Sequence, residues 1–256
     1  MAATVLSGTS GALYYKPAGT LGQFATTDVD TTGDDITVAP YLNFKVGDPV
    51  QFSVVNTTTG GAGTGTLPAG LAVSTTYYVI AYTASTGVLQ VSATSGGSAV
   101  DITDVGTATA PNKFQIEYDA FTSVSQVREW SFEITRDEID VTTIGATPGQ
   151  YVPFKTFIAG FADGSGSATV YFTDTDDALG NRMVEDVIQR IQTGAKFKLY
   201  TDQVFTSGSI DNTKSRSIEF EANLISANLS INPDDAQSVE ITFRHTNTPT
   251  FDFSKS

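Results

Sequence analysis

Carboxylates are the reactive groups this sequence offers most freely. Glu133, Asp137, Glu138 and Asp140 crowd one stretch, with Thr142 and Thr143 just beyond, and "TRDEID" (135–140) could hold a cation or form a solvated acidic turn. "DTDD" (174–177) looks like part of a calcium loop but lacks the Gly and the closing Glu of an EF-hand. Helix capping accounts for it as well. Glu129 with Glu133, or Glu219 with Glu221, supplies the two carboxylates of a glycosidase, but neighbours on one strand face cannot flank a sugar bond from opposite sides. His245 is the sole histidine and Cys is absent, which excludes disulfides and thiolate metal sites. No Gly-x-Ser-x-Gly elbow exists to bring a serine to His245. Gly60-Gly61-Ala62-Gly63 lacks the Lys-Ser/Thr and the following helix of a phosphate loop. "GFADGSGSA" (160–168) is expected to be a hairpin loop ahead of a strand at 167–173. These residues point to no enzyme and to no cofactor or metal.

The acids are carried on strand patterns. In "VREWSFEI" (127–134), Arg128, Trp130, Phe132 and Ile134 share one face, and Val127, Glu129, Ser131 and Glu133 share the other. In "RSIEFEANLIS" (216–226), Ile218, Phe220, Ala222 and Leu224 oppose Glu219, Glu221 and Asn223. In "SVEITFRH" (238–245), Val239, Ile241 and Phe243 oppose Glu240, Thr242 and Arg244. Three strands therefore set an apolar face against an open face bearing Glu.

One helix interrupts the strands. Leu179, Met183, Val184, Val187, Ile188 and Ile191 form a single apolar stripe, which predicts a helix over about 176–193 lying on a sheet. Asp174 or Thr175 is placed to cap it, Asp176 and Asp177 suit its first turn, and Gly194 suits its end.

A chain of 256 residues can build one large β domain or two smaller ones. With 40% hydrophobic and 11% aromatic residues it is globular rather than disordered. Its net charge of −14 repels nucleic acid at range, so a phosphate-neutralising DNA binder is not expected. No apolar run approaches the ~20 residues of a membrane span. The N-terminus lacks the basic region and apolar core of a signal peptide, which suggests a cytosol-like compartment.

Residues 36–116 differ in texture. Short runs such as "PVQFSVVN" (49–56), "TYYVIAY" (76–82), "VLQVSAT" (88–94) and "KFQIEYD" (113–119) are separated by Gly-, Thr- and Pro-rich stretches, the pattern of a small all-β sandwich or barrel. This segment carries a net −1, leaving −13 of the −14 elsewhere. The expected division is one β domain from 1–35 and 117–256, with 36–116 inserted as a second all-β domain. Residues 2–35, rich in Thr, Gly and Ala, show little core-forming pattern and are expected to order against a neighbour.

The series "WSFEITRDEIDVTT" (130–143), "PFKTFIAGFADGSGSATVYF" (153–172), amphipathic helix and further strands resembles the tail tube proteins of tailed bacteriophages. The resemblance covers about 117–256, with 1–35 as that family's N-terminal strand and arm. Residues 36–116 depart from the minimal pattern and resemble a small β module found inserted in phage tail proteins. The resemblance implies a mainly β, tail-tube-like sandwich or barrel flanked by one α-helix. It implies a structural virion protein whose homohexameric rings stack through loops and the N-terminal arm into a hollow tail, assembled in the cytoplasm of a host bacterium. Expected partners are tape measure and baseplate or neck proteins, and a sheath protein if the tail contracts. Viral DNA would pass through without specific binding, repelled by a lumen whose acids include Glu129, Glu133, Glu219, Glu221 and Glu240. Two other readings stay open: a capsid decoration or other virion surface protein, and a carbohydrate-binding β module of a tail fibre using Tyr77, Tyr78 or Tyr82.

Overall fold

The computed structural model describes residues 10–142, 155–172, 179–231 and 236–253. Alternating side chains make nearly every element a strand. β1 (Ala12–Lys16) buries Leu13 and Tyr15 and turns Tyr14 and Lys16 the other way. It leads into β2 (Leu21–Phe24), β3 (Val29–Asp30), β4 (Asp35–Thr37), β5 (Pro49–Asn56), β6 (Tyr77–Thr83), β7 (Val88–Ser92) and β8 (Asn112–Tyr118). The chain returns through β9 (Thr122–Ser123), β10 (Val127–Asp140), β11 (Phe157–Tyr171) and the helix α1 (Leu179–Ile188). β12 (Lys196–Asp202), the small hairpin β13 (Phe205–Thr206) and β14 (Ser209–Ile210), β15 (Arg216–Ser230), β16 (Ser238–His245) and β17 (Thr250–Asp252) complete it.

Two sheets result. The first runs β10-β11-β16-β15-β12-β1-β9, with β17 also on β15, and the second runs β2-β8-β5-β6-β7-β4-β3. The fold is thus mainly β with one helix, as the patterning predicts. β15 serves two partners in turn, β12 along Arg216–Glu221 and β16 along Ala222–Ser230. Side chains from both halves of this sheet meet in one core, where the Phe197 ring stacks on Phe243 at 4.4 Å and on Phe220 at 5.7 Å. Tyr15 and Met183 seal it. The second sheet has its own core around Phe24, Phe52 and Phe114.

Sheet membership differs from the expected division at 36. β2 and β3 pair into the second sheet, which therefore takes in 21–118. These strands are too short to announce themselves by periodicity. The Tyr118 amide donates to the Thr20 carbonyl at 3.1 Å, so the chain enters and leaves this sheet at adjacent points. On these limits Asp28, Asp30, Asp34, Asp35 and Glu117 change the segment's charge from −1 to −6, leaving −8 of the −14 elsewhere, and the charge contrast shrinks. Nor is the described N-terminal stretch an arm: Leu13, Tyr15, Ala18 and Phe24 are all core. Residues 2–9 lie outside the described residues.

Two expected turns are strands. "TRDEID" completes β10, and "GFADGSGSA" lies within the 15-residue β11. The glycines of β11 serve packing rather than turning. A Cβ on Gly166 would stand 2.5 Å from the Phe243 ring, and one on Gly164 would stand 2.1 Å from the His245 ring. Thr143 and residues 144–154 fall outside the described residues, as do residues 174–177, the expected start of the helix.

The helix ends earlier than expected, at Ile188, where Gln189 N–H reaches back to the Asp186 carbonyl at 3.2 Å. Its buried positions are Leu179, Gly180, Arg182, Met183 and Asp186, a set that includes two charges. Ile188 stands 87% exposed, and Ile191 packs instead against the second core.

Candidate functional surface

Four strands, β10, β11, β16 and the C-terminal half of β15, present one open face in register. Glu129 lies opposite Thr169, Thr169 opposite Glu240, and Glu240 opposite Asn228. The next row reads Ser131, Ser167, Thr242 and Ser226. The third reads Glu133, Ser165, Arg244 and Asn223. Hydroxyls tie neighbouring strands together within the second row, Ser131 to Ser167 at 3.1 Å and Ser226 to Thr242 at 2.6 Å. A shallow hollow of about 540 Å³ crosses this face between Glu133, Ser167, Glu240 and Arg244. The reverse face is apolar: Trp130 lies opposite Ala168 and Ala168 opposite Ile241, while Phe132 and Phe243 flank Gly166.

Arg244 is the cation of these rows, and it is engaged. Its guanidinium donates to both oxygens of Asp163, from Nε at 3.0 Å and from Nη2 to Oδ2. The Arg244 hydrogen bond holds the Asp163 carboxyl below its ordinary range despite some desolvation.

Glu219 and Glu221 occupy a different surface. They lie on the half of β15 that pairs with β12, opposite Lys198 and Lys196. Lys198 Nζ stands 3.5 Å from Glu219 and Lys196 Nζ 3.3 Å from Glu221. Lys16 lies in the same row as Lys196, so the acids there are charge-balanced. The five acids singled out by strand parity therefore divide: Glu129, Glu133 and Glu240 come together, and Glu219 and Glu221 stand apart among lysines.

Both edges of the four-stranded face lack a partner strand among the described residues. β10 ends the sheet on one side, and beyond Leu224 the flank of β15 away from β16 is open on the other. Ile225 and Leu229 are exposed along that flank.

A second polar assembly lies beneath α1, and sequence reasoning missed it. Arg182 forks onto Asp48 with contacts of 2.6 and 2.9 Å, and donates to the Asn43 carbonyl at 2.5 Å. Asp186 accepts from Tyr15 OH at 2.7 Å, from Ala18 N–H at 3.1 Å and from Asn43 Nδ2 at 2.6 Å. Burial lifts the Asp186 carboxyl above its usual range although Tyr15 and Arg182 pull it down. Burial also drives the Tyr15 hydroxyl well up, helped by the adjacent Asp186 charge. Burial opposes the charge on Arg182, but its bonds to Asp48 outweigh that and leave its pKa raised. This assembly ties β1, the helix and the 43–48 segment of the second sheet together. The available signal was two charges at i and i+4 inside the apolar stripe.

His245 lies against Phe132 and Gly164, with Nε2 buried and no hydrogen-bond partner among the described residues. Among those residues no group of three or more His, Asp or Glu is placed to hold a metal ion. No helix among them is long and apolar enough to cross a membrane. Tyr77 is buried with its hydroxyl on the Gly70 carbonyl, and Tyr82 packs edge-on to Phe44 with its hydroxyl on Leu42. The tyrosines considered for sugar stacking are thus structural at 77 and 82.

No family model matches the chain, and no curated protein matches it. Among solved structures, a chain from the virion of a native gene transfer agent particle is similar at 15% identity and a TM-score of 0.37, covering 51% of this chain and 88% of that one. A chain from the tail of an empty gene transfer agent particle with C6 symmetry is similar at 15% identity and a TM-score of 0.35, covering 51% and 85%. A chain from the SPP1 tail tube is similar at 16% identity and a TM-score of 0.36, covering 54% and 70%.

Proposed function

We propose that this chain is a structural subunit of a bacteriophage tail tube, its copies joined edge to edge in six-fold rings that stack around the passing genome. The observation that carries the reading is the four-stranded face with acids and hydroxyls on one side, a core on the other, and an open edge at each end. β15, β16, β11 and β10 alternate in direction, so β10 of one copy meets β15 of the next antiparallel and the alternation continues unbroken. Closing the sheet this way removes both edges, which otherwise invite uncontrolled pairing. Six copies would give roughly two dozen strands, more than the 16–18 at which barrels already hold an aqueous channel. Glu129, Glu133 and Glu240 would line it, repelling phosphate so that DNA does not adhere. Glu219 and Glu221, balanced by lysine, fall on the other half of the sheet and contribute little to that field. The subunit would reside in the virion tail, meet tape measure and baseplate or neck proteins, and meet a sheath in a contractile tail.

Electron microscopy of the purified protein tests the ring: six-fold rings or tubes are expected, and monomers at high concentration would overturn it. Charge reversal tests the lumen. Glu129→Lys with Glu240→Lys should leave tubes intact but slow DNA release at low salt, easing as salt rises. Glu219→Lys with Glu221→Lys should do much less. Equal effects from both pairs would remove the lumen assignment.

A further inference from the structure

The flank of β15 changes hands along its length. Arg216–Glu221 pairs with β12, and Ala222 N–H still reaches the Ala195 carbonyl at 3.2 Å. Then β12's side of the ladder is continued by a single side chain. Gln192 Oε1 accepts the Leu224 N–H at 2.7 Å, and Gln192 Nε2 donates to the Leu224 carbonyl at 3.2 Å. One amide side chain thus satisfies both backbone groups of one residue, as a paired strand would. Its Nε2 also reaches the Asp186 carbonyl at 3.3 Å, so the helix end holds it in place. Past Leu224 the flank has no partner strand among the described residues, and a hollow of about 630 Å³ lies at the transition, lined by Leu21, Gln192, Gly194, Leu224 and Ile225.

We infer that Gln192 is a register pin for the seam between copies, a role that rests on the ring reading above. The occupant of the open flank is β10 of a second copy, the edge strand at the other end of the four-stranded face, which arrives antiparallel with its acid face and its apolar face matching those of β15. With the N–H and C=O of Leu224 already taken, the incoming strand cannot begin its ladder there and must start beyond it. The faces of β10 are already set by its pairing with β11, so the seam can slip only by two residues, which keeps the faces and shifts the rows. Such a slip would set Ser131 where Glu129 or Glu133 should stand and break the rows of acids and hydroxyls across the seam.

The absence of native cysteine makes the register directly readable. Asn228→Cys on β15 is combined, in separate proteins, with Glu129→Cys, Ser131→Cys or Glu133→Cys on β10. Assembled rings are oxidised and the disulfide-linked dimers are quantified. In the native background one β10 position should dominate, since disulfides form only across a short Cα separation. With Gln192→Ala, the ratio of the best to the second-best position should fall about 3- to 10-fold, the range that the net contribution of one backbone hydrogen bond allows. Gln192→Glu keeps the length and an acceptor for Leu224 N–H but loses the donor, and should give an intermediate ratio. It also serves if the alanine protein does not fold. The same single dominant position in native, alanine and glutamate backgrounds would overturn the pin while leaving the seam standing. No cross-link from the Asn228→Cys thiol to any β10 position in the native background would overturn the seam, and the pin with it.

Discussion

The open face and the assembly beneath α1 use the same acidic groups under opposite conditions. Glu129, Glu133 and Glu240 stand in solvent among hydroxyls, in registered rows on a four-stranded sheet. Asp48 and Asp186 lie at 6% and 0% exposure, Asp48 held by Arg182 and by the Lys45 N–H at 2.9 Å, and Asp186 by Tyr15, Ala18 and Asn43. An exposed carboxylate contributes to a field and little to the fold, whereas a buried one is bound into a network that fails when a member is removed. The difference teaches that acid content alone says nothing about role. The same residue type shapes the surface in one region and joins two sheets in the other.

The comparison is tested most severely by removing the second sheet. Bridging Asp35 to Glu117 with a short Gly/Ser linker cuts into β4 and β8 and leaves β2 and β3 without partners, so that protein should be insoluble. Bridging Thr20 to Asp119 removes the sheet whole, at a point where Thr20 lies beside Tyr118, the residue before Asp119, and should leave a soluble fold. Asp48 and Asn43 leave with it, and Arg182 and Asp186 then reach water. Soluble expression and circular dichroism of both proteins measure this. Equal solubility of the two would show that the sheet boundary is not at Thr20.

Next in size is the Arg182–Asp48 pair. Arg182→Ala leaves Asp48 buried without its fork and should cost about 3–5 kcal/mol in urea unfolding. Removing both with Asp48→Ala should cost less than the sum, because neither charge is then stranded. Glu240→Gln on the open face should barely move the unfolding midpoint. A loss at Glu240 comparable to that at Arg182 would erase the distinction between the two regions.

A smaller effect separates field from contact on the open face itself. Asp163→Asn and Glu240→Gln change the net charge equally, but only the first releases the Arg244 fork. In assembled tubes Asp163→Asn should slow DNA release more, by a few-fold at low salt, because a free guanidinium grips phosphate. Adding Arg244→Gln should restore the rate. Identical rates for Asp163→Asn and Glu240→Gln would mean that net charge alone governs passage.

Strand parity made much of this legible. It identified the apolar and open faces of 129–133 and of the 216–226 and 238–245 strands correctly, because each has a core on one side only; at the start of β10 a bulge at Arg128 reverses the expectation, so that Val127 lies opposite Val170 against the core and Arg128 is exposed. Parity does not say which strand lies alongside, so it could not separate Glu219 and Glu221, opposite lysines, from Glu240, opposite Thr169 and Asn228. Gly164 and Gly166 pointed to a loop because composition cannot reveal that Phe243 and His245 fill the space a Cβ would need. Arg182 and Asp186 lay hidden for a related reason: a charge within an apolar stripe reads as its flank until the segment that covers it is known.

The least of the expected effects is a pH dependence, and it belongs to the buried region. Burial raises the folded-state pKa of Asp186 despite the donors around it. A raised folded pKa means that the folded chain keeps this proton to higher pH than the unfolded chain does. The stability gained is fully present below the ordinary carboxylate pKa and is lost as pH rises through the raised value. Asp186→Asn cannot titrate, and it keeps one oxygen for Tyr15 and Ala18. Urea midpoints of the native and Asp186→Asn proteins, compared from about pH 4 to about pH 7, bracket the window above the ordinary carboxylate value. The native protein should lose ground to the variant steadily across that window. A difference that stays flat, or moves the other way, would mean that the hydrogen bonds from Tyr15, Ala18 and Asn43 outweigh the burial of the charge.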